Sequence, residues 1–201
     1  MNWKFANWIL LLVCGCTAAA WSTNAVEAKM PTGEFTYEAA GGDIDFKARK
    51  STLSDIKIKF GDWTVSANKG QMDLPDKESG ECNLLGAVKL RGPGSELDAD
   101  AGLIKYQDKR ITFIRLTGKP VTFKQKVEGK PQVIDGRANV AEYDITGTIR
   151  LTGNAYVSTD EMQITNASIV YDLNEQRVSA ENVQNSGDRV RIRIDPKKMN
   201  R

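Results

Sequence analysis

The chain has 201 residues, of which 40% are hydrophobic and 27% charged, with a formal net charge of +2 and no histidine. This is enough chain for one domain with a real core, and the charge balance indicates neither nucleic acid nor a strongly acidic partner. With histidine missing, the commonest general base and the commonest zinc ligand are both absent, so the expectation is a protein that is not an enzyme and carries no metal and no cofactor.

Residues 1–28 read as a cleaved secretory signal peptide. Lys4 and the amino terminus make a small positive region, Trp8 to Ala20 is uncharged and mostly apolar, and Thr23-Asn24-Ala25 or Val26-Glu27-Ala28 offers small residues for cleavage. The apolar run falls short of the roughly 20 residues of a membrane span. Export followed by cleavage is expected, with a retained anchor as the alternative; Cys16, after Val13-Cys14-Gly15, loosely resembles a lipoprotein site. Residues 29–201 then form a single domain whose only cysteine is Cys82, so no intramolecular disulfide is available. Cys82 lacks the usual partner of a nucleophile and reads as a small buried member of a strand.

In the mature chain, Glu34 to Phe46 is mixed, with Gly41-Gly42 as a flexible joint. Ile56, Ile58 and Phe60 then alternate with lysines, Gly61-Asp62 turns the chain, and Trp63, Val65 and Ala67 alternate with Thr64 and Ser66, which is a hairpin. Leu74 to Gly80 is a polar turn containing Pro75. Further strands are expected at Leu85 to Leu90, Leu97 to Tyr106, Ile111 to Leu116 and Val121 to Val127, then, after the turn Gly129-Lys130-Pro131, at Ala138 to Ile145. Apolar residues continue at every second place through Ile149 and Leu151; Met162 and Ile164; Ile169, Tyr171 and Leu173; and Val190, Ile192 and Ile194. A period of two means strands with one wet and one dry face. Thr152-Gly153-Asn154, Asn174-Glu175 and Asn185-Ser186-Gly187-Asp188 read as reversals between them. No helical spacing persists for three turns, and the pattern predicts an all-β chain of about fourteen to sixteen short antiparallel strands.

The chain also repeats itself. Arg150-Leu151-Thr152-Gly153 recurs about 35 residues upstream as Arg115-Leu116-Thr117-Gly118, with a looser copy at Leu85-Gly86-Ala87-Val88. A small residue is followed five places later by Tyr or Met and then Asp or Gln: Ala67 with Met72-Asp73, Ala101 with Tyr106-Gln107, Ala138 with Tyr143-Asp144 and Asn166 with Tyr171-Asp172. Recurrence at this period suggests a repeat whose unit is a pair or so of strands. Two pairs, Asp98 with Asp100 and Asp43 with Asp45, put carboxylates on one strand face, where they can hold a divalent cation, act as an acid/base pair or simply face solvent. Arg189, Arg191 and Arg193, with Lys197, Lys198 and Arg201, form a basic stripe that suits phosphate groups or keeps a terminal strand soluble.

Leu151-Thr152-Gly153-Asn154-Ala155, Ile169-Val170-Tyr171-Asp172, Arg177-Val178-Ser179-Ala180 and Asp188 to Ile194, in that order behind an exported leader, resemble the OstA-like family of periplasmic lipopolysaccharide-transport proteins. The likeness is best over about residues 85 to 198 and weaker over Phe35 to Phe60. It implies an open β-jelly roll of stacked antiparallel V-shaped strand pairs whose apolar interior holds acyl chains. It also implies head-to-tail self-association by strand pairing, an inner-membrane LptC-like component and an outer-membrane LptD-like translocon as partners, and lipopolysaccharide as cargo.

On that reading the lipid-facing residues are the bulky inward members of the alternating runs: Ile58, Phe60, Trp63, Val65, Phe113, Phe123, Ile149, Leu151, Ile164 and Tyr171. Val190, Ile192 and Ile194 give the terminal strand an apolar face for a partner edge. The alternatives are an inner-membrane-anchored LptC-like component of the same pathway and a non-lipid extracytoplasmic β-sandwich binding module.

Overall fold

The computed structural model describes residues 35–74, 78–108, 110–126, 132–144, 146–172, 177–181 and 189–194. The expected signal peptide with Cys14 and Cys16, the turns at 129–131, 174–175 and 185–188, and the terminal Lys197, Lys198 and Arg201 lie outside the described residues.

Among the described residues the regular elements are strands: β1 (Phe35–Glu38), β2 (Gly41–Asp45), β3 (Lys50–Phe60), β4 (Trp63–Asp73), β5 (Ser79–Gly92), β6 (Ser95–Gln107), β7 (Arg110–Lys126), β8 (Val133–Asp144), β9 (Thr148–Ser158), β10 (Met162–Asp172), β11 (Arg177–Glu181) and β12 (Arg191–Ile194). They form one antiparallel sheet in the order β1-β3-β4-β5-β6-β7-β8-β9-β10-β11, with β2 also pairing β3 and β12 also pairing β10. Each end of the sheet is finished by two short strands. β1 and β2 lie along different halves of β3, and β11 and β12 along different halves of β10.

The long strands bend near their middles. Registers slip between Ser66 and Lys69, Leu85 and Val88, Asp98 and Ala101, Thr117 and Val121, Arg137 and Val140, and Asn166 and Ser168. At two of these corners Gly86 and Gly153 take φ of 76° and 77°, followed by Ala87 at 47° and Asn154 at 51°. Left-handed backbone is open to glycine and tolerated by asparagine, so these sequences bend a strand at little cost. A bulge adds a residue on one side of the ladder and sharpens the bend. Each long strand is therefore a V, and the two arms of the stacked V's make two leaves whose inner faces share one buried cluster. This is the open jelly roll.

Among the described residues there are twelve strands, fewer and longer than the fourteen to sixteen short ones expected of the chain, because several expected pairs are single bent strands. Thr152-Gly153-Asn154, read from sequence as a reversal, is a corner inside β9, and Ile111 to Leu116 and the run from Val121 belong to one strand, β7. The chemistry that reverses a chain also bends it.

Side chains line up across the sheet in rungs. On the first leaf Ile58, Val65, Leu90, Leu97, Phe123, Gly136, Val157, Ile164 and Ile192 stand side by side. On the second leaf the equivalent rung is Ser51, Met72, Cys82, Ile104, Ile114, Tyr143, Ile149, Tyr171 and Val178. Beside the corner, Leu53, Gly70, Leu84, Gly102, Leu116, Ala141 and Leu151 alternate large and small. A Cβ on Gly70 would press on Ile56, and one on Gly102 on Leu116 at 3.1 Å, so the small members make room for the bulky aliphatic side chains around them.

These rungs account for the internal repeat. Leu116-Thr117-Gly118 and Leu151-Thr152-Gly153 occupy equivalent corners, and their upstream counterpart is Leu84-Leu85-Gly86. Ala67, Ala138 and Asn166 are equivalent, as are Met72, Tyr143 and Tyr171. The second copy, however, is Ala99 with Ile104, two residues before the Ala101 and Tyr106 that the sequence suggests. The repeating unit is a pair of V-shaped strands.

Candidate functional site

The inner face is filled unevenly. Across β3 to β6, Ile56, Ile58, Phe60, Val65, Met72, Cys82, Val88, Leu90 and Ile104 are all buried, Ile58 completely at 0% exposure. From β7 onward the same face opens. Phe123, Tyr143, Ile149, Val157, Met162 and Tyr171 are half-buried, and the rungs end in Val178, 41% exposed, and Ile192, 58% exposed. The cause is side-chain volume: inward positions of β8 and β9 are held by Gly136, Ala138, Ala141 and Ala155, which project little into the space between the leaves.

The ten residues singled out from sequence fall into four groups. Ile58, Phe60 and Val65 belong to the closed end and pack as core. Leu151 and Ile164 are buried at the base of the open end. Trp63, Phe123 and Ile149 are partly buried and lie against the core, and Tyr171 is half-buried on the same inner face, directly across from Ile149. Phe113 is different. The ladder slips between Lys105 and Tyr106, so that Lys105 faces Phe113 while Tyr106 faces Ile111. Phe113 shares the side of exposed Arg115, opposite buried Ile114 and Leu116, because one extra residue moves a side chain to the other face.

Leu97, Tyr143, Val157 and Met162, not singled out from sequence, join the open inner face; Leu97, Val157 and Met162 pack on the core. Tyr143 carried a usable signal, since it holds the same repeat position as Tyr171. Two aromatic rings there are set by glycines. Phe123 lies over Gly136 and Trp63 over Gly92, so that a Cβ at either glycine would run into the ring.

Inside, the polar groups are few and stay neutral. Burial pushes the Cys82 thiol up to about 12 from 9.0. Burial, and secondarily the neighbouring Asp144 and Asp172, raise the Tyr143 and Tyr171 hydroxyls; burial, then Asp73 and Cys82, raise Tyr106. The tyrosines thus remain uncharged rims to an apolar wall. Three of the four paired carboxylates have partners within the chain. Asp98 pairs with Arg91 at 2.7 Å, Asp100 accepts from the Lys119 amide at 3.1 Å, and Asp45 accepts from the amides of Lys47 and Ala48.

At the sheet ends, Val190, Ile192 and Ile194 are exposed at the carboxyl end, and Tyr37, Ile44 and Phe46 at the amino end. Phe46 is 77% exposed at the tip of the β2–β3 turn.

A family model described as LptA/(LptD N-terminal domain) LPS transport protein matches residues 64–177, from β4 to the start of β11 and therefore through all the central V-shaped strands. The chain belongs to this family. Its fold is also that of a solved structure, LptH, the LptA homologous periplasmic component of the conserved lipopolysaccharide transport device from Pseudomonas aeruginosa. The two are 18% identical, with a TM-score of 0.50 over 82% of this chain and 96% of that one. No curated protein sequence matches the chain.

Proposed function

We propose that this member of the family binds the acyl chains of lipopolysaccharide between its two leaves and passes them across the periplasm towards the outer membrane. The observation that carries the reading is the half-exposed apolar inner face of β7 to β10, walled by Phe123 and Val157 on one leaf and by Tyr143, Ile149 and Tyr171 on the other. Each methylene removed from water gains about 0.8 kcal/mol. Several acyl chains are thus held too tightly to leave through water, but they can slide along a continuous apolar wall at nearly constant burial. No bond is made or broken, and direction is supplied from outside the protein.

Continuity beyond one molecule follows from the ends. Among the described residues, β11 and β12 leave unpaired backbone at the carboxyl edge and β1 and β2 at the amino edge, each beside exposed apolar residues. Pairing of one edge with the other is heterologous and open, so it extends the groove into a filament. The same edges would receive an LptC-like component of the inner membrane and an LptD-like translocon of the outer membrane.

The test is a photo-crosslinking residue at Phe123, which faces inward, and separately at Lys124, which faces out. Attachment of lipopolysaccharide at Phe123 and not at Lys124 is the expected result. Attachment at neither position, with the protein folded, overturns the reading in favour of a β-sandwich that binds no lipid.

A further inference from the structure

Leu85 is 61% exposed, and it is set apart by where it sits. Among the described residues, every other exposed large hydrophobic side chain belongs to the strands that finish the sheet, β1, β2, β11 and β12, or to a residue directly beside them. Leu85 is in the middle of β5, with strands on both sides. The repeat supplies the comparison. Leu84-Leu85-Gly86 is the counterpart of Leu116-Thr117-Gly118 and Leu151-Thr152-Gly153, so the outward corner position that holds threonine in two units holds leucine in this one. The corner itself does not require an apolar side chain there.

Leu85 borders a trough on the outer face of the second leaf, which crosses the strands from Thr52 on β3 to Thr117 on β7. One wall carries Lys69, Leu85 and Ala101, and the other carries Asn83, Leu103 and Arg115. The backbone at Gly70, Leu84 and Gly102 makes the floor. At about 510 Å³ the trough has the size of a binding site and not of a packing defect. The same strands show the contrast in the first leaf. Their outward rows there, from Lys57 across to Thr122 and from Lys59 across to Lys124, contain no apolar side chain.

We propose that this trough is the docking site for an amphipathic helix of a partner protein, with an apolar stripe and an acidic residue at the end that lies over β4. Five strands span about 19 Å at ordinary strand spacing, the length of about 13 residues of helix. A helix suits the trough and an extended segment does not. The floor strands already spend their N–H and C=O groups on neighbours at both sides, so a segment laid straight across them would bury its own without partners, whereas a helix satisfies its own. Leu85, Leu103 and Ala101 meet the apolar stripe. The charges in the walls are Lys69 and Arg115, and no carboxylate lines the trough. Glu142 reaches Arg115 from β8 at 3.4 Å, which leaves Lys69, on β4, to draw the partner's acid. The trough shares no side chain with the open inner face of β7 to β10, so the proposal does not depend on the lipid-carrying reading.

The experiment places a photo-crosslinking residue at Asn83, in the trough wall, and separately at Lys89, outward on the first leaf, in the cells that naturally make the full chain. A protein adduct is expected at Asn83 and not at Lys89. Sequencing of the crosslinked peptide by mass spectrometry is expected to show apolar residues at i, i+3, i+4 and i+7 with acidic residues among the others. Leu85→Thr, the residue of the two equivalent corners, is expected to lower the adduct at least about fivefold with thermal unfolding unchanged. Lys69→Glu is expected to lower it by a comparable factor while Leu85 stays in place. No adduct at Asn83, an adduct that either variant leaves intact, or a crosslinked peptide without that spacing overturns the proposal. Lipopolysaccharide or a second copy of this chain as the adduct overturns it too. Lipopolysaccharide crosslinking at Phe123 is expected to be unchanged in both variants, which keeps this outcome separate from that of the groove.

Discussion

Strands β3 to β6 and strands β7 to β12 are built from the same unit, a pair of V-shaped strands with inward residues in the same rungs, yet one half is packed solid and the other is not. In the first half the rung residues Ile58, Val65 and Leu90, against Met72, Cys82 and Ile104, are buried, and Leu97, beside β7, is half-buried. In the second half Gly136 takes a rung position, Ala138 and Ala155 stand beside it, and the bulky residues Phe123, Ile149 and Tyr171 keep part of their surface open. A repeat therefore need not imply equal roles. The filled half holds the two leaves at a fixed spacing, and the depleted half leaves space between them where the proposed lipid would sit.

Truncation should separate the halves most sharply. Ile58→Ala removes a side chain with no exposed surface and leaves a cavity, so urea unfolding should show a loss of about 2–5 kcal/mol. Ile149→Ala, whose site is already open, should cost less than about 1.5 kcal/mol and instead weaken lipid crosslinking at Phe123. Equal losses at the two positions would break the comparison.

Filling the open half is the converse. Gly136→Val drives a side chain into the Phe123 ring, and such overpacking costs about 1–3 kcal/mol. Lipid capture should fall further than stability does. Unchanged capture would mean that acyl chains bypass this rung.

Alkaline pH probes the closed half. The Cys82 thiol, buried in its second-leaf rung, keeps its proton up to about 12, whereas in the unfolded chain it ionises near 9.0. Above 9.0 the unfolded state binds fewer protons, so the stability Cys82 contributes is full below that pH and declines as pH rises towards 12. The slope is at most about 1.4 kcal/mol per pH unit. The raised hydroxyls of Tyr106, Tyr143 and Tyr171 act in the same direction. Denaturation midpoints of the wild type and Cys82→Ala between pH 8 and 11 check this: on the order of half or more of the decline should disappear in the variant if Cys82 dominates.

The smallest effect is expected on the outer surface. Arg115→Ala, which breaks the exposed pair with Glu142 at 3.4 Å, should change stability by less than about 1 kcal/mol and leave lipid capture untouched in either half.

Much of this was legible in the residues. Alternation assigned Phe123 to the inner face and Lys124 to the outer one, and the repeated Leu-Thr-Gly motif marked equivalent places in successive units. The corners were legible as glycine and asparagine but not as corners. Left-handed backbone at Gly153 and Asn154 serves a bend as well as a reversal, and only pairing on both arms of β9 with the same neighbours tells the two apart. Phe113 was assigned to the wrong side because a bulge shifts the parity of a strand without leaving a mark in its own alternation.

By itself, the sequence determined that the chain is all β, that each strand has one apolar face, and that the unit recurs, because backbone period and turn chemistry are local properties. Which apolar faces close into core and which remain open was decided by the tertiary structure alone. That outcome depends on the summed volume of residues far apart in the chain, Gly136 under Phe123, Ile149 between Tyr143 and Tyr171, Ile58 beside Val65, which only strand pairing brings into the same rung.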